Sequence, residues 1–284
     1  MFDRHLYSDH PGESSDNMWQ GKGKLLFLLG GYDLEMVTIR DLLLKVGFQD
    51  VTGNDPPFPE RAFADRRLTW GALLSSYKSE LNAVKEQRER TVVAVELTED
   101  IPAPENYVVI DHHNERSHLP SSIEQTAAFL GLNLSRYQRL VAANDRGYIP
   151  EMMKMGVTVD EIEKIRKKDR KAQGVTSKDE KMAEISVRDK IEFCGRIAIV
   201  RSLTDKFSPI VDRLHGKAEK LLIISSAEIG YFGPDADSLA GHFSKSVQRG
   251  NAYYGGGKNG YFILKYFSNE ARDQLLNEIM KIIK

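Results

Sequence analysis

Three consecutive residues, Asp111, His112 and His113, set a carboxylate and two imidazoles side by side, a grouping able to ligate a metal ion or to move protons near neutral pH. Taken alone the triplet has a plainer reading, in which the carboxylate caps a turn and one imidazole is satisfied in the core. Other acids recur at comparable places. Asp33 and Glu35 follow the apolar run 24–29, Glu96 follows the β-branched run 91–95, the triplet follows the run 107–110, and Asp145 closes the segment 141–145 as it turns from apolar to polar. Oxygen donors with an imidazole suit Mn2+ or Mg2+, and two such ions about 4 Å apart can clamp the attacking and leaving oxygens of a phosphoryl transfer. The chemistry this points to is phosphoester hydrolysis.

The elements that must position these groups alternate. Lys24 to Leu29 reads as a strand ending at Gly30 and Gly31, and the spacing of Leu34, Val37, Ile39 and Leu42 to Leu44 predicts a helix. A second helix is expected from Trp70 to Arg90, a strand over 91–95 and another over 107–110. Ser121, Ser122 and Glu124 then mark a helix start. Strands alternating with helices indicate a parallel sheet, whose ligands bind at the carboxyl ends of the strands. From Pro150 to about Arg188 the chain is charged and helical. The run Lys164, Arg166, Lys167, Lys168, Arg170, Lys171 is interleaved with Glu161, Glu163 and Asp169, so it reads as a solvated face. Strands over 196–200, 221–225 and 261–265, with a closing helix carrying Leu275, Leu276, Ile279 and Ile282, make a second small α/β unit. Phe262 and Tyr266, at even spacing, read as core.

Composition narrows the function. Of 284 residues, 41% are hydrophobic and 29% charged, the balance of an ordinary globular protein. Forty Lys and Arg against 41 Asp and Glu leave no strong global field to hold long nucleic acid indiscriminately. The single cysteine, Cys194, is expected to be a small buried apolar side chain. Charged residues near the start, among them Asp3, Arg4, His5 and Asp9, and the lack of a long apolar segment lead us to expect a cytoplasmic protein without a membrane span.

On these residues the sequence resembles the DHH phosphoesterase superfamily, through the Asp111-His112-His113 motif, the order of acids on successive strand exits, the Ser121-Ser122-Ile123-Glu124 helix start and the later Asp145. Tyr254-Gly255-Gly256-Gly257-Lys258, followed by the strand 261–265, is similar to the glycine-rich motif of the DHH-associated C-terminal domain. Adjacent glycines let backbone N–H groups approach an anion unobstructed. The resemblance implies Asp33 and Glu35 as first-strand metal ligands, Glu96 as a bridging ligand, and His112 and Asp145 as ligands of the second ion. It implies that Asp111 orients the site, that His113 meets the scissile phosphate or leaving group, and that Gly255, Gly256 and Gly257 cradle the substrate's phosphate. Lys258, directly after the glycines, is expected to face the same anion, and Arg146, beside Asp145, reads equally as a phosphate binder or as a partner of that carboxylate. The pattern departs from the family at four places: Gly31 stands where a histidine is usual, Glu35 and Glu96 where aspartate is, and Lys258 where the glycine motif commonly ends in histidine. His5 or His10 on the N-terminal arm could replace the histidine absent at Gly31.

The fold expected is therefore α/β: a parallel-sheet DHH-type catalytic domain and a smaller α/β C-terminal domain with the active-site cleft between them. The expected parts are an arm over 1–23, a catalytic domain over 24–150, a charged helical linker over 151–195 and a substrate-binding domain over 196–284. The expected function is hydrolysis of phosphodiesters in short single-stranded oligonucleotides or signalling nucleotides, exonuclease-like, with two Mn2+ or Mg2+ ions, one of them weakly held. The alternatives are a nucleotide-sensing protein with weakened turnover and an inorganic pyrophosphatase or phosphomonoesterase. A homodimer is left open.

Overall fold

A computed structural model describes residues 23–69, 71–85, 89–113, 116, 118–255 and 260–284. The chain forms two compact units. Of the described residues, the first comprises 23–31, Thr38–Asp111 and Ser122–Ser135, and the second comprises Tyr32–Val37, His112–Ser121 and Arg136–Lys284. Among the described residues no helix is long and apolar enough to cross a membrane.

The first unit is built on a parallel sheet of β1 (Lys24–Gly31), β2 (Gln49–Asp50), β3 (Arg61–Leu68), β4 (Arg90–Val95) and β5 (Tyr107–Ile110), in the order β2-β3-β1-β4-β5. Central β1 is buried on both faces, which is why Leu25 to Leu29 run apolar without alternation. Helix α1 (Leu34–Lys45) follows β1, and α2 (Lys78–Val84) and α3 (Ser122–Leu130) come later. Gly30 is required by a close approach: a Cβ there would sit 2.4 Å from the Glu96 carbonyl oxygen and 2.6 Å from that of Val95.

The helix expected from Trp70 to Arg90 is corrected. A 3-10 turn over Leu74–Tyr77 leads into α2, and Arg90 already opens β4. Buried Tyr77 donates its hydroxyl hydrogen bond to the Leu29 carbonyl, and buried Arg90 donates to the carbonyls of Leu25 at 3.0 Å and Phe58 at 3.1 Å. These tertiary bonds outweigh the local helical spacing. The sequence reading also passed over β3, whose charged residues hide a strand. Nη2 of its Arg66 donates to both carboxylate oxygens of Glu80, at 2.7 and 2.9 Å.

The second unit adds α4 (Arg136–Lys154), α5 (Val159–Ala172) and α6 (Ser177–Asp189). Capping boxes at Thr158 with Glu161 and at Thr176 with Asp179 fix where α5 and α6 begin. Next come β6 (Ile191–Cys194), β7 (Ile197–Arg201), α7 (Ser208–Leu214), β8 (Lys220–Ile224), β9 (Glu228–Phe232), α8 (Ala236–His242), α9 (Ser244–Gln248), β10 (Ala252–Gly255), β11 (Tyr261–Lys265) and α10 (Asn269–Ile283). The six strands run β10-β11-β9-β8-β7-β6, and only the β7–β8 pair is parallel. One face carries Phe262, Leu239 and Ile279, the other Val200, Ile210 and Ile223. Phe262 is buried and Tyr266 packs beside it, as their spacing suggested.

Two expectations change here. Cys194 is exposed, as are its neighbours 192 and 193, because β6 is an edge strand that leaves both of its faces accessible there. The charged run of α5 is a solvated face only in part: Lys164, Lys167, Lys168 and Lys171 are exposed, but Arg166 and Asp169 are buried. Arg170 bonds Glu180 on α6 at 2.6 Å and also Asp212 on α7, while Arg213 reaches Glu180 at 2.8 Å. Three helices are thus pinned by paired charges.

Candidate metal centre

The end of β1 feeds an acidic helix start. Asp33 caps α1, its Oδ1 accepting from Met36 N at 2.8 Å, and Glu35 lies in the first turn, where the helix dipole favours an anion. Glu35 is 1% exposed. Within the same unit α4 supplies Asp145, and His112 is also buried. Nε2 of His112 lies 2.6 Å from Oδ2 of Asp145 and 3.5 Å from Oε2 of Glu35. The 2.6 Å approach brings an imidazole nitrogen and a carboxylate oxygen, each able to ligate an ion, to one place. One ligand atom from each of Glu35, His112 and Asp145 falls within 4.8 Å of the others, close enough to serve one ion. The His113 ring stands 4.5 Å from that of His112, tilted by 41°.

The electrostatics of the group call for a cation. Burial by itself would lower the His112 pKa, but Asp145 and Glu35 outweigh it and push the imidazole up to about 10. Asp33 is driven well above the usual carboxylate range, first by burial and then by Asp145, Asp169 and Glu35, against the Met36 N–H that holds it down. A proton on His112 offsets only part of the acids' charge, and a divalent cation would displace it. Two carboxylates and one imidazole are the hard oxygen and nitrogen donors that Mn2+ or Mg2+ accepts.

The first unit carries the remaining strand exits. Glu96 follows β4 at a positive φ of 53°, its amide donating to the Ile110 carbonyl at 2.9 Å. Such a backbone is uncommon outside glycine and persists where the surroundings impose it. Asp111 follows β5, and its carbonyl accepts from Gln125 Nε2 at 2.9 Å, so α3 helps hold the motif's backbone.

No protein-family model matches the sequence, and no curated protein matches it significantly. Among solved structures, a DHH-domain protein described as a member of the s1p family of ribosomal proteins is similar with a TM-score of 0.50 and 12% identity, over 94% of this chain and 89% of that one. The chain has a DHH-type fold. Similar at lower scores are a pGpG-specific phosphodiesterase from Vibrio cholerae and RecJ from Thermus thermophilus in complex with Mn2+. The first has a TM-score of 0.42, 10% identity, and coverage of 91% and 98% of the two chains. The second has a TM-score of 0.39, 10% identity, and coverage of 89% and 51%.

On this DHH-type fold the other sequence candidates fall as follows. Arg146, read as either a phosphate binder or a partner of Asp145, has its Nη2 4.0 Å from Glu151 Oε1. Gly255 ends β10 opposite Tyr261, and a Cβ there would lie 2.9 Å from the Tyr261 hydroxyl. Gly256, Gly257 and Lys258 lie outside the described residues, as do His5, Asp9 and His10. Three residues of the DHH-type fold's second unit were not singled out from sequence: Asn144, Arg166 and Asp169, all buried. Asp169 lies on the same stripe of α5 as Ile165 and Ile162, and an acid on an apolar stripe is the signal that could have revealed it.

Proposed function

We propose that this chain is a divalent-metal-dependent phosphoesterase that hydrolyses phosphodiesters of short single-stranded oligonucleotides or signalling nucleotides, acting as an exonuclease. The observation that carries the reading is the convergence of Glu35, His112 and Asp145 on one point, in a group whose acids outnumber its bases. With the motif order read from the sequence, Asp33, Glu35, Glu96, His112 and Asp145 would hold two Mn2+ or Mg2+ ions. Such ions lower the pKa of water toward neutrality and offset charge on phosphoryl oxygens.

The chain's own residues do the rest. Asp111 orients the motif. His113, beside His112, contacts the scissile phosphate or protonates the leaving oxygen. Arg146 and the segment Gly255, Gly256, Gly257 and Lys258 take the terminal nucleotide through backbone N–H groups and cationic side chains. The near-zero net charge suits short or terminal substrates better than long duplexes.

The test pairs binding with turnover. Mn2+ at about 100 times its Kd should stabilise the wild-type protein by about 2.7 kcal/mol against urea, and His112→Ala should lose that increment. A screen of Mn2+, Mg2+ and Co2+ against short RNA, short DNA, cyclic dinucleotides and pyrophosphate should show terminal nucleotide release that His112→Ala abolishes. Turnover confined to pyrophosphate would replace the substrate class, and ion binding without any turnover would make the protein a sensor.

A further inference from the structure

Arg166, a buried guanidinium on α5, adjoins the acid group and has no place in the function proposed above. Its planar fork is filled in three directions. Nη1 donates to Asn144 Oδ1 at 2.9 Å and to Asp169 Oδ2 at 2.6 Å, and Nε donates to Asp212 Oδ1 at 3.0 Å. The first two acceptors each adjoin a proposed ligand. Asn144 immediately precedes Asp145 on α4. Asp169 accepts at 3.4 Å from the amide of Leu34, the residue between Asp33 and Glu35.

A second observation meets the first at the same guanidinium. Helix α4 breaks just past Asp145, where Tyr148 has φ 60° and ψ −147°, a conformation strained for any residue but glycine. The Tyr148 ring lies over Arg166 with 4.5 Å between the guanidinium carbon and the ring centre, and its hydroxyl donates to Asp212 at 2.6 Å. The side chain of this strained residue is thus held against Arg166 and against the Asp212 that Arg166 bonds.

We infer that Arg166 is a positioning residue of the metal centre, setting the spacing between the Asp33–Glu35 turn and Asp145 through Asp169 and Asn144. The inference rests on the metal reading proposed above. Lysine cannot replace it, because an ammonium has the charge without the planar fork that meets three acceptors in fixed directions.

The electrostatic sign separates positioning from simple charge. Removing a cation next to an ion site by charge alone tightens binding of another cation, whereas losing the spacing of the ligands weakens it. Arg170 is a matched control, since it lies on the same helix and bonds the same Asp212, but its guanidinium pairs with Glu180 and Asp212 rather than with Asn144 or Asp169. Calorimetric Mn2+ titration of the full chain, with near-ultraviolet circular dichroism as the check on folding, should give Kd values about 10- to 100-fold weaker for Arg166→Met and Arg166→Lys. Arg170→Met should lose stability yet keep the wild-type Kd within about threefold.

A folded Arg166→Met that binds Mn2+ as tightly as the wild type, or more tightly, overturns the inference, and so does equal weakening in Arg170→Met. Should Arg166→Met fail to fold, Asn144→Ala removes one arm of the arrangement alone. A Kd weakened about fivefold in that variant supports positioning, and an unchanged one overturns it. A wild type that binds no Mn2+ removes the metal reading itself, and this inference with it.

Discussion

Two groups of buried and half-buried charge occupy the second unit, and they are built to opposite ends. In the group formed by Arg170, Arg213, Asp212 and Glu180, each acid meets a guanidinium at hydrogen-bond distance. Burial would raise the Glu180 pKa, but Arg170 and Arg213 overcome it and hold the carboxyl below its ordinary value. Around His112 the balance is reversed: Glu35 and Asp145 share one imidazole, and nearby Asp33 is raised by its burial and by the acids around it. The first arrangement is complete as it stands and locks helices together. The second is left short of positive charge, the condition under which a divalent ion adds stability. Arg166 and Asp169 connect the two.

The comparison can be broken most forcefully from the paired side. Asp212→Ala leaves Arg166 and Arg170 without a shared acceptor and should lower stability by about 3–5 kcal/mol in urea unfolding. A loss below about 1 kcal/mol would place these pairs with ordinary surface bridges and erase the distinction.

The middle effect is pH. A proton must leave His112 for an ion to bind, so with a pKa of about 10 the apparent Mn2+ affinity should rise about tenfold per pH unit between about pH 6 and 8. The stability of the ion-free protein runs the other way. His112 is raised on folding, so its contribution is fully present below its unfolded value near 6.5 and is lost as pH rises through about 10. Titrations in buffers of different ionisation enthalpy count the protons directly. A flat pH profile would show that His112 is already neutral and that the group is less acidic than its geometry implies.

The smallest effect should have the least intuitive sign. Asp33→Asn keeps an oxygen acceptor for the Met36 amide and removes an anion that its neighbours disfavour, so the ion-free protein should gain about 0.5–1 kcal/mol while Mn2+ binding weakens. A loss of stability instead would mean that the capping charge outweighs the repulsion.

Legibility in the sequence followed the range of the forces involved. Strand β1, strand β5 and the start of α3 were readable because apolar runs and capping residues act over a few positions. β3 was not, because Arg61, Asp65, Arg66 and Arg67 look solvated until Glu80 and Tyr77 are brought to them from outside the strand. At the site, the Asp-His-His motif drew attention to His112, a strand exit drew it to Glu35, and the apolar-to-polar turn of 141–145, which proves to lie within α4, drew it to Asp145. Arg166 and Asp169 escaped because a buried pair and a solvated pair share the same i, i+3 spacing, and only packing distinguishes them.

Exposed Cys194 has a practical bearing on how this protein's association state is to be measured. A lone accessible thiol on an edge strand can cross-link two chains on oxidation, giving a covalent dimer unrelated to any native interface. Sedimentation with and without reductant separates the two cases. A dimer that persists in reductant is an assembly, and one that dissolves in it is sulfur chemistry.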